Sequence, residues 1–200
     1  MREPFDSFVK SNLGTDTVLI TCGLPGTCKT ETSEEISKLI GYQILRTDMI
    51  RLEVLKNEDI FDEKVASNMD KRKMVYDEMF KRAAGLAKKG SGVILDATFV
   101  TQELRRRAAE VAVNNNKKFV ILQTSCPKEV SIDRILRRTK ENYQSNALTE
   151  QAYINNLKKF EPVDLNDLKE LYPNIRIIHF TVDTTGDAPE DWYVVDVVNR

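Results

Sequence analysis

A run of residues near the N-terminus has the composition and spacing of a phosphate-binding loop. Its members, in order, are Gly23, Leu24, Pro25, Gly26, Thr27, Cys28, Lys29 and Thr30. The pattern G-x-x-x-x-G-K-[ST] is typical of a P-loop, whose backbone N–H groups and following helix N-terminus surround phosphates. We expect Lys29 to neutralise the β- and γ-phosphates of ATP, and Thr30 to bind Mg²⁺. An ordinary strand–turn–helix corner is the structural alternative.

Cys28 departs from this pattern, because it stands where the last glycine is usual. A Cβ atom there crowds the phosphates, or strains the backbone by about 1–3 kcal/mol if φ is positive. Cys28 also lies at a helix N-terminus beside Lys29, and the helix dipole and the ammonium group both favour a thiolate. We therefore expect Cys28 to be a reactive thiol that bound nucleotide protects, and Cys22 in the preceding strand to be inert.

The elements that position this loop are short apolar runs that alternate with longer amphipathic stretches. Such runs are typical of strands buried on both faces, and hence of a parallel sheet covered by helices. The predicted strands are Thr17–Cys22, Tyr42–Arg46, Val93–Leu95, Phe119–Gln123 and Arg176–Val182. The predicted helices are Lys29–Ile40, Asp48–Lys56, Asn68–Lys89, Thr101–Asn114, Pro127–Thr139, Thr149–Phe160 and Pro189–Asn199. We predict one doubly wound α/β domain over residues 1–200, with a five-stranded, mostly parallel sheet between helical layers.

Composition narrows the classes of function. Hydrophobic residues make up 41% of the chain and charged residues 30%, which is typical of a folded domain. A net charge of −1 gives no general attraction to nucleic acid or to a membrane surface. The N-terminal residues lack a signal-peptide pattern, and no apolar run is long enough to span a bilayer. With three cysteines and a single histidine, His179, we expect free thiols in a reducing cytoplasm and no histidine-based triad or metal site.

Four segments together resemble a known group of proteins. The GLPG-type loop followed by RTDMIR, LDATF and DRILRR resembles small P-loop kinases and AAA-like ATP-binding proteins, among them polynucleotide kinases, zeta toxins and gluconate-kinase-like enzymes. The resemblance extends from about Thr17 to the last predicted helix. It implies a three-layer P-loop NTPase fold, binding of ATP and Mg²⁺, and phosphoryl transfer to an alcohol group, and it leaves the acceptor open.

The resemblance gives a role to the residues after the second predicted strand. In this group that strand ends in an Asp, with an Arg three residues later, and here these are Asp48 and Arg51. Asp48 is then the general base that accepts the proton of the acceptor hydroxyl, and Arg51 binds the acceptor. A carboxylate at the carboxyl end of a parallel strand faces the ligand crevice, which fits that role. The structural alternative is that Asp48 caps the next helix.

Asp96 follows the third predicted strand and is the expected carboxylate near Mg²⁺. An Asp directly after an apolar strand combines a buried approach with an outward tip, as a Walker-B-like residue needs, and a strand-end turn residue is the alternative. In the similar DTN and DAT motifs of polynucleotide-kinase-like proteins, this Asp lies on the acceptor or metal side. We expect Asp96 to contact metal and substrate, with Thr98 and Arg105 lining the acceptor site.

Two later segments resemble the nucleoside side of such sites. DRILRR is similar to the lid-proximal helix of adenylate-kinase-like enzymes, with Arg134 and Arg138 four residues apart on one helical face. This implies that Arg134 stacks on adenine and that Arg138 stabilises the transferring phosphoryl group. A solvated basic face is the alternative. Asp183 in VDTT resembles a family loop near the adenine, and a plain strand–helix turn is the alternative.

The sequence therefore predicts an ATP-dependent kinase in which Lys29, Asp48 and Arg138 are catalytic. A small lid is expected at about residues 134–148, which include the polar stretch Lys140–Leu148. Its partners are ATP and a hydroxyl acceptor, and nucleic acid enters only as a kinase substrate. Acceptor identity and oligomeric state, monomer or dimer, stay open. The alternative is an ATP-binding or ATP-hydrolysing regulatory protein without an acceptor, which Cys28 favours.

Overall fold

The structure, a computed structural model, describes residues 2–60, 65, 68–138 and 148–200. Its helices are α1 (Phe5–Asn12), α2 (Lys29–Ile40), α3 (Thr47–Val54), α4 (Met69–Ala87), α5 (Gln102–Val113), α6 (Lys128–Leu136), α7 (Glu150–Lys159) and α8 (Leu165–Leu171). Its strands are β1 (Glu3–Pro4), β2 (Thr17–Cys22), β3 (Gln43–Arg46), β4 (Val93–Asp96), β5 (Lys118–Ser125), β6 (Ile177–Asp183) and β7 (Tyr193–Asn199). Among these residues no helix is long and apolar enough to cross a membrane. The central part of the predicted lid, residues 139–147, lies outside the described residues.

The described strands form one sheet in the order β1-β7-β6-β5-β2-β4-β3. The run from β6 to β3 is parallel throughout, and it coincides with the five predicted strands to within two residues at each end. Two antiparallel strands, β7 and β1, extend the edge beside β6, so the sheet has seven strands rather than five. Because β2 lies between β4 and β5, the loop that follows it opens at the centre of the carboxyl edge.

The predicted helix over Pro189–Asn199 is wrong. Only Pro189–Asp191 is helical, as one short 3₁₀ turn, and the chain then continues as β7. The sequence YVVDVVN is rich in β-branched residues, which favour an extended backbone, and β6 offers an unpaired edge for it. Helices α1 and α8 also form where no element was predicted.

Alternate residues of β2 feed two separate layers of core. Val18 and Ile20 point to the layer that contains α4, α5 and α8. Leu19 points to the opposite layer, against α1 and α2. Strand β2 is buried at every residue, as the sequence pattern of a central parallel strand predicts. This three-layer arrangement holds the loop after β2 and the start of α2 in fixed positions.

Candidate active site

The loop between β2 and α2 has a backbone that requires glycine at two points. Gly23 has φ 145° and Gly26 has φ 80°. A Cβ atom on Gly23 would lie 2.7 Å from the carbonyl oxygen of Thr124, and one on Gly26 would clash with that of Ser131. Both contacts are closer than a carbon atom tolerates, so the loop packs directly against β5 and α6. The P-loop predicted from the sequence therefore has the close packing that its glycines indicate.

Cys28 adopts a left-handed conformation, which is one of the two possibilities that its glycine-like position left open. Its φ is 57° and its ψ is 35°, directly before the first residue of α2. The strain expected from a Cβ atom there is therefore present. The expected thiolate is wrong, because burial raises the pKa of the Cys28 thiol to about 12, with Glu31 adding to the rise. Desolvation outweighs the helix dipole when only 8% of the residue is exposed.

Lys29 and Thr27 close the loop from within. The Lys29 ammonium donates to the carbonyl oxygen of Leu24 at 2.6 Å. Burial lowers the pKa of Lys29, whereas the nearby Asp96 acts to raise it. The Thr27 hydroxyl lies 2.8 Å from the carbonyl oxygen of Leu24 and 2.6 Å from the Thr124 hydroxyl. A half-buried ammonium group bonded to a neutral carbonyl oxygen is well placed to take a phosphate oxygen as a stronger partner.

The two residues expected to bind metal lie together. The Thr30 hydroxyl donates to Asp96 Oδ2 at 2.8 Å, and Thr21 donates to Asp96 Oδ1 at 3.2 Å. The same Oδ2 accepts from Nε of Arg46 at 3.2 Å, and Asp96 is only 3% exposed. Burial raises the pKa of Asp96, while the Thr30 hydrogen bond and the Arg46 charge lower it. We call Thr30, Asp96 and Arg46 the metal corner.

The donor atoms of the metal corner suit Mg²⁺. A hydroxyl and a carboxylate supply hard oxygen ligands, and Mg²⁺ keeps several waters and usually takes one or two protein ligands beside phosphates. No group of three or more His, Cys, Asp and Glu side chains able to hold a metal occurs within the residues that the structure describes. The corner is therefore suited to a metal that arrives with a nucleotide, rather than to a resident ion in an all-protein cage.

Asp48 lies in the first turn of α3, beside the metal corner. The residue before the helix is Arg46, and α3 begins at Thr47, so the interpretation of Asp48 as the N-cap is wrong. Arg51 donates to Asp48 Oδ1 at 2.7 Å. Burial raises the pKa of Asp48, and Arg51, Lys29 and Arg46 each act to lower it. The predicted base and acceptor-binding residue thus form a pair within electrostatic reach of the phosphate loop.

Arg134 connects the P-loop to the loop that follows β6. It donates to the carbonyl oxygens of Thr184 and Gly186 at 2.9 Å each, and to Asp187 Oδ1 at 2.9 Å. A longer bond of 3.5 Å reaches the carbonyl oxygen of Gly26. Its edge is therefore committed to the protein, and stacking of its face on adenine stays a prediction.

Arg138 does not share a helical face with Arg134. Helix α6 ends at Leu136, so the chain has left the helix before Arg138, and that part of the prediction is wrong. Burial lowers the pKa of Arg138, and the charges of Glu31 and Asp48 counteract it. The guanidinium therefore lies within electrostatic reach of Asp48 and Glu31, which is the position expected of a residue that contacts a transferring phosphoryl group.

A cleft of about 210 Å³ opens beside the P-loop. It is lined by Gly26, Cys28, Glu31, Arg134, Arg137, Arg138 and Asp187. Sequence reasoning missed Glu31, Arg137 and Asp187 as site residues. The position of Arg137 inside DRILRR was the available signal, whereas nothing in the sequence relates Asp187 to the P-loop.

In the VDTT loop, Thr184 contacts the P-loop, whereas Asp183 stabilises a turn within its own loop. The Asp183 carboxylate accepts from the backbone N–H of Thr185 at 3.0 Å and from its hydroxyl at 2.6 Å, which closes a turn. The Thr184 hydroxyl donates to the carbonyl oxygen of Thr27 at 3.1 Å. Thr184 therefore makes the direct contact with the P-loop, and a contact between Asp183 and nucleotide stays a prediction.

Thr98 and Arg105, which were expected to line the acceptor site together, lie in different surroundings. The carbonyl oxygen of Thr98 accepts from the backbone N–H of Gly23 at 3.3 Å, which places Thr98 beside the P-loop. Arg105 is fully buried and donates to backbone carbonyl oxygens of Phe99 at 3.0 Å and Glu161 at 2.7 Å. It also donates to the carbonyl oxygens of Val100 and Pro162. The expectation that Arg105 lines the acceptor site is wrong, because its donors hold two loops together.

The fold and this loop define a P-loop NTPase. A family model described as AAA domain matches residues 18–163, which is more than half of the chain. The chain therefore belongs to the AAA domain family, and the resemblance inferred from its motifs is confirmed.

Its curated relatives include uncharacterised proteins of Mycobacterium bovis and Mycobacterium tuberculosis, each 29% identical over 131 residues. The match covers 62% of this chain and 26% of each relative, so the chain matches only about a quarter of their length.

Solved structures share the fold at low sequence identity. A gluconokinase from Sinorhizobium meliloti is 16% identical, with a TM-score of 0.59 over 87% of this chain and 86% of its own. A candidate kinase from Chloroflexus aurantiacus is 18% identical, with a TM-score of 0.64 over 92% and 93%. Kti12 from Chaetomium thermophilum in complex with ADP-AlF₃ is 17% identical, with a TM-score of 0.56 over 74% and 81%.

Proposed function

We propose that this protein is an ATP-dependent kinase that transfers the γ-phosphate of ATP to a hydroxyl acceptor. The observation that carries the proposal is the Asp48–Arg51 pair, which lies half-buried beside the metal corner and has its own hydrogen bond, in addition to the bond between Thr30 and Asp96. An NTPase needs a carboxylate near its metal, which Asp96 supplies. A second carboxylate, held by its own arginine, is what an acceptor hydroxyl requires.

In this proposal the loop residues bind and orient the nucleotide. The backbone N–H groups from Gly26 to Thr30 surround the phosphates, and Lys29 exchanges the Leu24 carbonyl for phosphate oxygens. Thr30 and Asp96 would hold Mg²⁺, which neutralises phosphate charge when it is bound.

The transfer itself requires one proton acceptor and stabilisation of charge. The acceptor oxygen forms a bond to the γ-phosphorus while the bond to the β–γ bridging oxygen breaks, and ADP leaves. Asp48 takes the proton of the attacking hydroxyl, and Arg51 orients both the carboxylate and the acceptor. Lys29 and Arg138, which act electrostatically on or beside Asp48, balance the charge that develops on the phosphoryl oxygens.

The comparisons agree with this proposal at the level of fold. One of the similar structures is a gluconokinase, another is described as a candidate kinase, and a third holds ADP-AlF₃. A small polyol is therefore a reasonable first class of acceptor, and 5′-hydroxyl oligonucleotides are the second. The three free cysteines suit a reducing compartment, such as the cytoplasm.

A second candidate is an ATP-binding or ATP-hydrolysing regulatory protein without an acceptor. The observation that favours it is Cys28, whose side chain lines the nucleotide cleft in a left-handed conformation. A side chain there narrows the cleft beside the phosphate loop. The two candidates differ in whether Asp48 matters for turnover.

Calorimetry with ADP and with a non-hydrolysable ATP analogue tests nucleotide binding. Lys29→Ala is expected to weaken it, whereas Lys38→Ala on the exposed side of the same helix is the matched control. If wild-type protein binds neither nucleotide, the proposal fails.

Radiolabelled γ-phosphate transfer to a panel of polyols, nucleosides and 5′-hydroxyl oligonucleotides tests the kinase activity. Asp48→Asn is expected to lower transfer by about a hundredfold or more while nucleotide affinity is retained. Asp77→Asn, which removes a surface ion pair with Arg107, is the control. Slow ATP hydrolysis that no acceptor stimulates and that Asp48→Asn leaves unchanged would favour the second candidate.

A further inference from the structure

Arg46 connects two carboxylates of different character. Its Nε lies 3.2 Å from Asp96 Oδ2, and its Nη2 lies 2.7 Å from Glu34 Oε1. The Asp96 side chain is 3% exposed, whereas the Glu34 side chain on α2 is 58% exposed. One guanidinium thus spans from the buried metal corner to the protein surface.

The inner contact of Arg46 uses an atom that a metal would also use. Asp96 Oδ2 accepts from both Arg46 and the Thr30 hydroxyl, and these two oxygens are the metal donors named above. A divalent cation or its bound water at Oδ2 would meet the positive charge of Arg46 in a buried site, where repulsion between like charges is strong. Arg46 and Mg²⁺ therefore cannot both engage Oδ2 favourably.

Glu34 provides Arg46 with a second partner. Because Arg46 already bonds Glu34 through a different nitrogen, it can release Asp96 and keep one carboxylate. When Arg46 leaves Asp96 it still has a carboxylate partner at the surface, so its charge does not become unpaired. The two bonds therefore make Arg46 a cation that can move outward when another cation enters.

We propose that Arg46 is a positioning residue that competes with Mg²⁺ for Asp96, and that Glu34 is the partner that retains it when the metal binds. In the metal-free protein Arg46 compensates the buried carboxylate and keeps Oδ2 beside Thr30. Mg²⁺ that arrives with a nucleotide displaces this contact, so the strength of the Arg46–Asp96 bond sets how much Mg²⁺ the site needs. The inference rests on the proposed binding of nucleotide.

Substitution of Arg46 and substitution of its partner Glu34 are expected to shift the required Mg²⁺ concentration in opposite directions. Arg46→Gln removes the competitor, so the free Mg²⁺ concentration at half-maximal Mg²⁺-dependent ADP binding is expected to fall about fivefold. A fivefold shift corresponds to about 1 kcal/mol at 25 °C. Glu34→Gln leaves Arg46 with Asp96 alone, so the required Mg²⁺ concentration is expected to rise. Arg106→Gln, which disrupts a surface pair with Asp167 outside the site, is expected to have no effect.

The measurement is calorimetric titration of ADP into the full chain at a series of free Mg²⁺ concentrations, which needs no catalytic turnover. An unchanged or raised Mg²⁺ requirement in Arg46→Gln would overturn the inference while leaving nucleotide binding intact. If Arg46→Gln does not fold, Glu34→Gln on the surface decides, and an unchanged or lowered Mg²⁺ requirement in that variant overturns the inference. Wild-type protein that binds no ADP at any Mg²⁺ concentration would overturn both this inference and the proposed function.

Discussion

The left-handed backbone at Cys28 makes a prediction about stability that separates backbone strain from packing. A non-glycine residue in this conformation costs about 1–2 kcal/mol. Glycine avoids that cost but loses about 0.5–1 kcal/mol through the greater freedom of the unfolded chain. Cys28→Gly is therefore expected to be more stable than Cys28→Ala by up to about 1.5 kcal/mol, with a central value of about 0.75 kcal/mol. Both variants lose the buried thiol, so the comparison between them cancels its packing.

Burial of the Cys28 thiol determines how stable the wild-type protein is relative to the two variants. Cys28 is buried among apolar residues, and a group of that size contributes about 0.8 kcal/mol when it is buried. Cys28→Ala keeps the strain and loses the thiol, so its free energy of unfolding is expected to fall by about 0.8 kcal/mol. Cys28→Gly loses the thiol and gains relief from strain, so it is expected to lie within about 1 kcal/mol of wild type.

Urea denaturation followed by circular dichroism measures all three proteins. At a negative φ the order reverses, because alanine is then the more stable residue by about 0.5–1 kcal/mol. A Cys28→Ala variant more stable than Cys28→Gly would therefore refute a left-handed Cys28. ADP calorimetry on the same samples tests whether the glycine variant also binds nucleotide more tightly, as expected if a Cβ atom at this position crowds the phosphates.

Other contacts in the structure yield three further tests. Because burial raises the pKa of Cys28 to about 12, iodoacetamide near neutral pH is expected to modify the half-buried Cys126 well before Cys28, which timed mass spectrometry measures. Burial raises the pKa of Asp48 and Arg51 lowers it, so Arg51→Gln is expected to raise it further and move the acid limb of turnover to higher pH. An acid limb that stays in place would exclude Asp48 as the titrating base. Arg105→Met is expected to lower the free energy of unfolding by about 3 kcal/mol or more, since each buried carbonyl left without a donor costs about 1–3 kcal/mol. Unchanged urea unfolding would contradict that role for Arg105.

The parallel part of the sheet and the P-loop were accessible from the sequence because their signals are local. Thr17–Cys22 is apolar at nearly every position, as a strand covered on both faces must be, and the prediction matches β2. The pattern from Gly23 to Thr30 depends on backbone conformation within a few residues, so spacing alone identifies it. The place of Cys28 in that pattern left a positive φ as one of two possibilities, and the structure has it.

Two of the predictions that were wrong, the C-terminal helix and the role of Arg105, concern segments whose contacts lie elsewhere in the sequence. Residues Tyr193–Asn199 become a strand only because β6 offers an edge for pairing, and an amphipathic sequence before pairing does not distinguish the two outcomes. Arg105 seemed a candidate for the acceptor site by its closeness in sequence to Thr98. Whether an arginine reaches a ligand or a set of carbonyl oxygens depends on where distant loops lie, as the bond from Arg105 to Glu161 shows.

By itself, the sequence determined the phosphate loop, the parallel strands that flank it and the types of residue available for chemistry. Only the tertiary structure decided which side chains share an oxygen atom. Arg46 reaches Asp96 Oδ2 because β3 and β4 are neighbours in register, with Arg46 directly beside Asp96. Thr30 reaches the same oxygen atom because α2 begins at that edge of the sheet. Contacts of this kind join residues far apart in the chain, and their geometry follows from strand pairing and helix packing rather than from any local pattern.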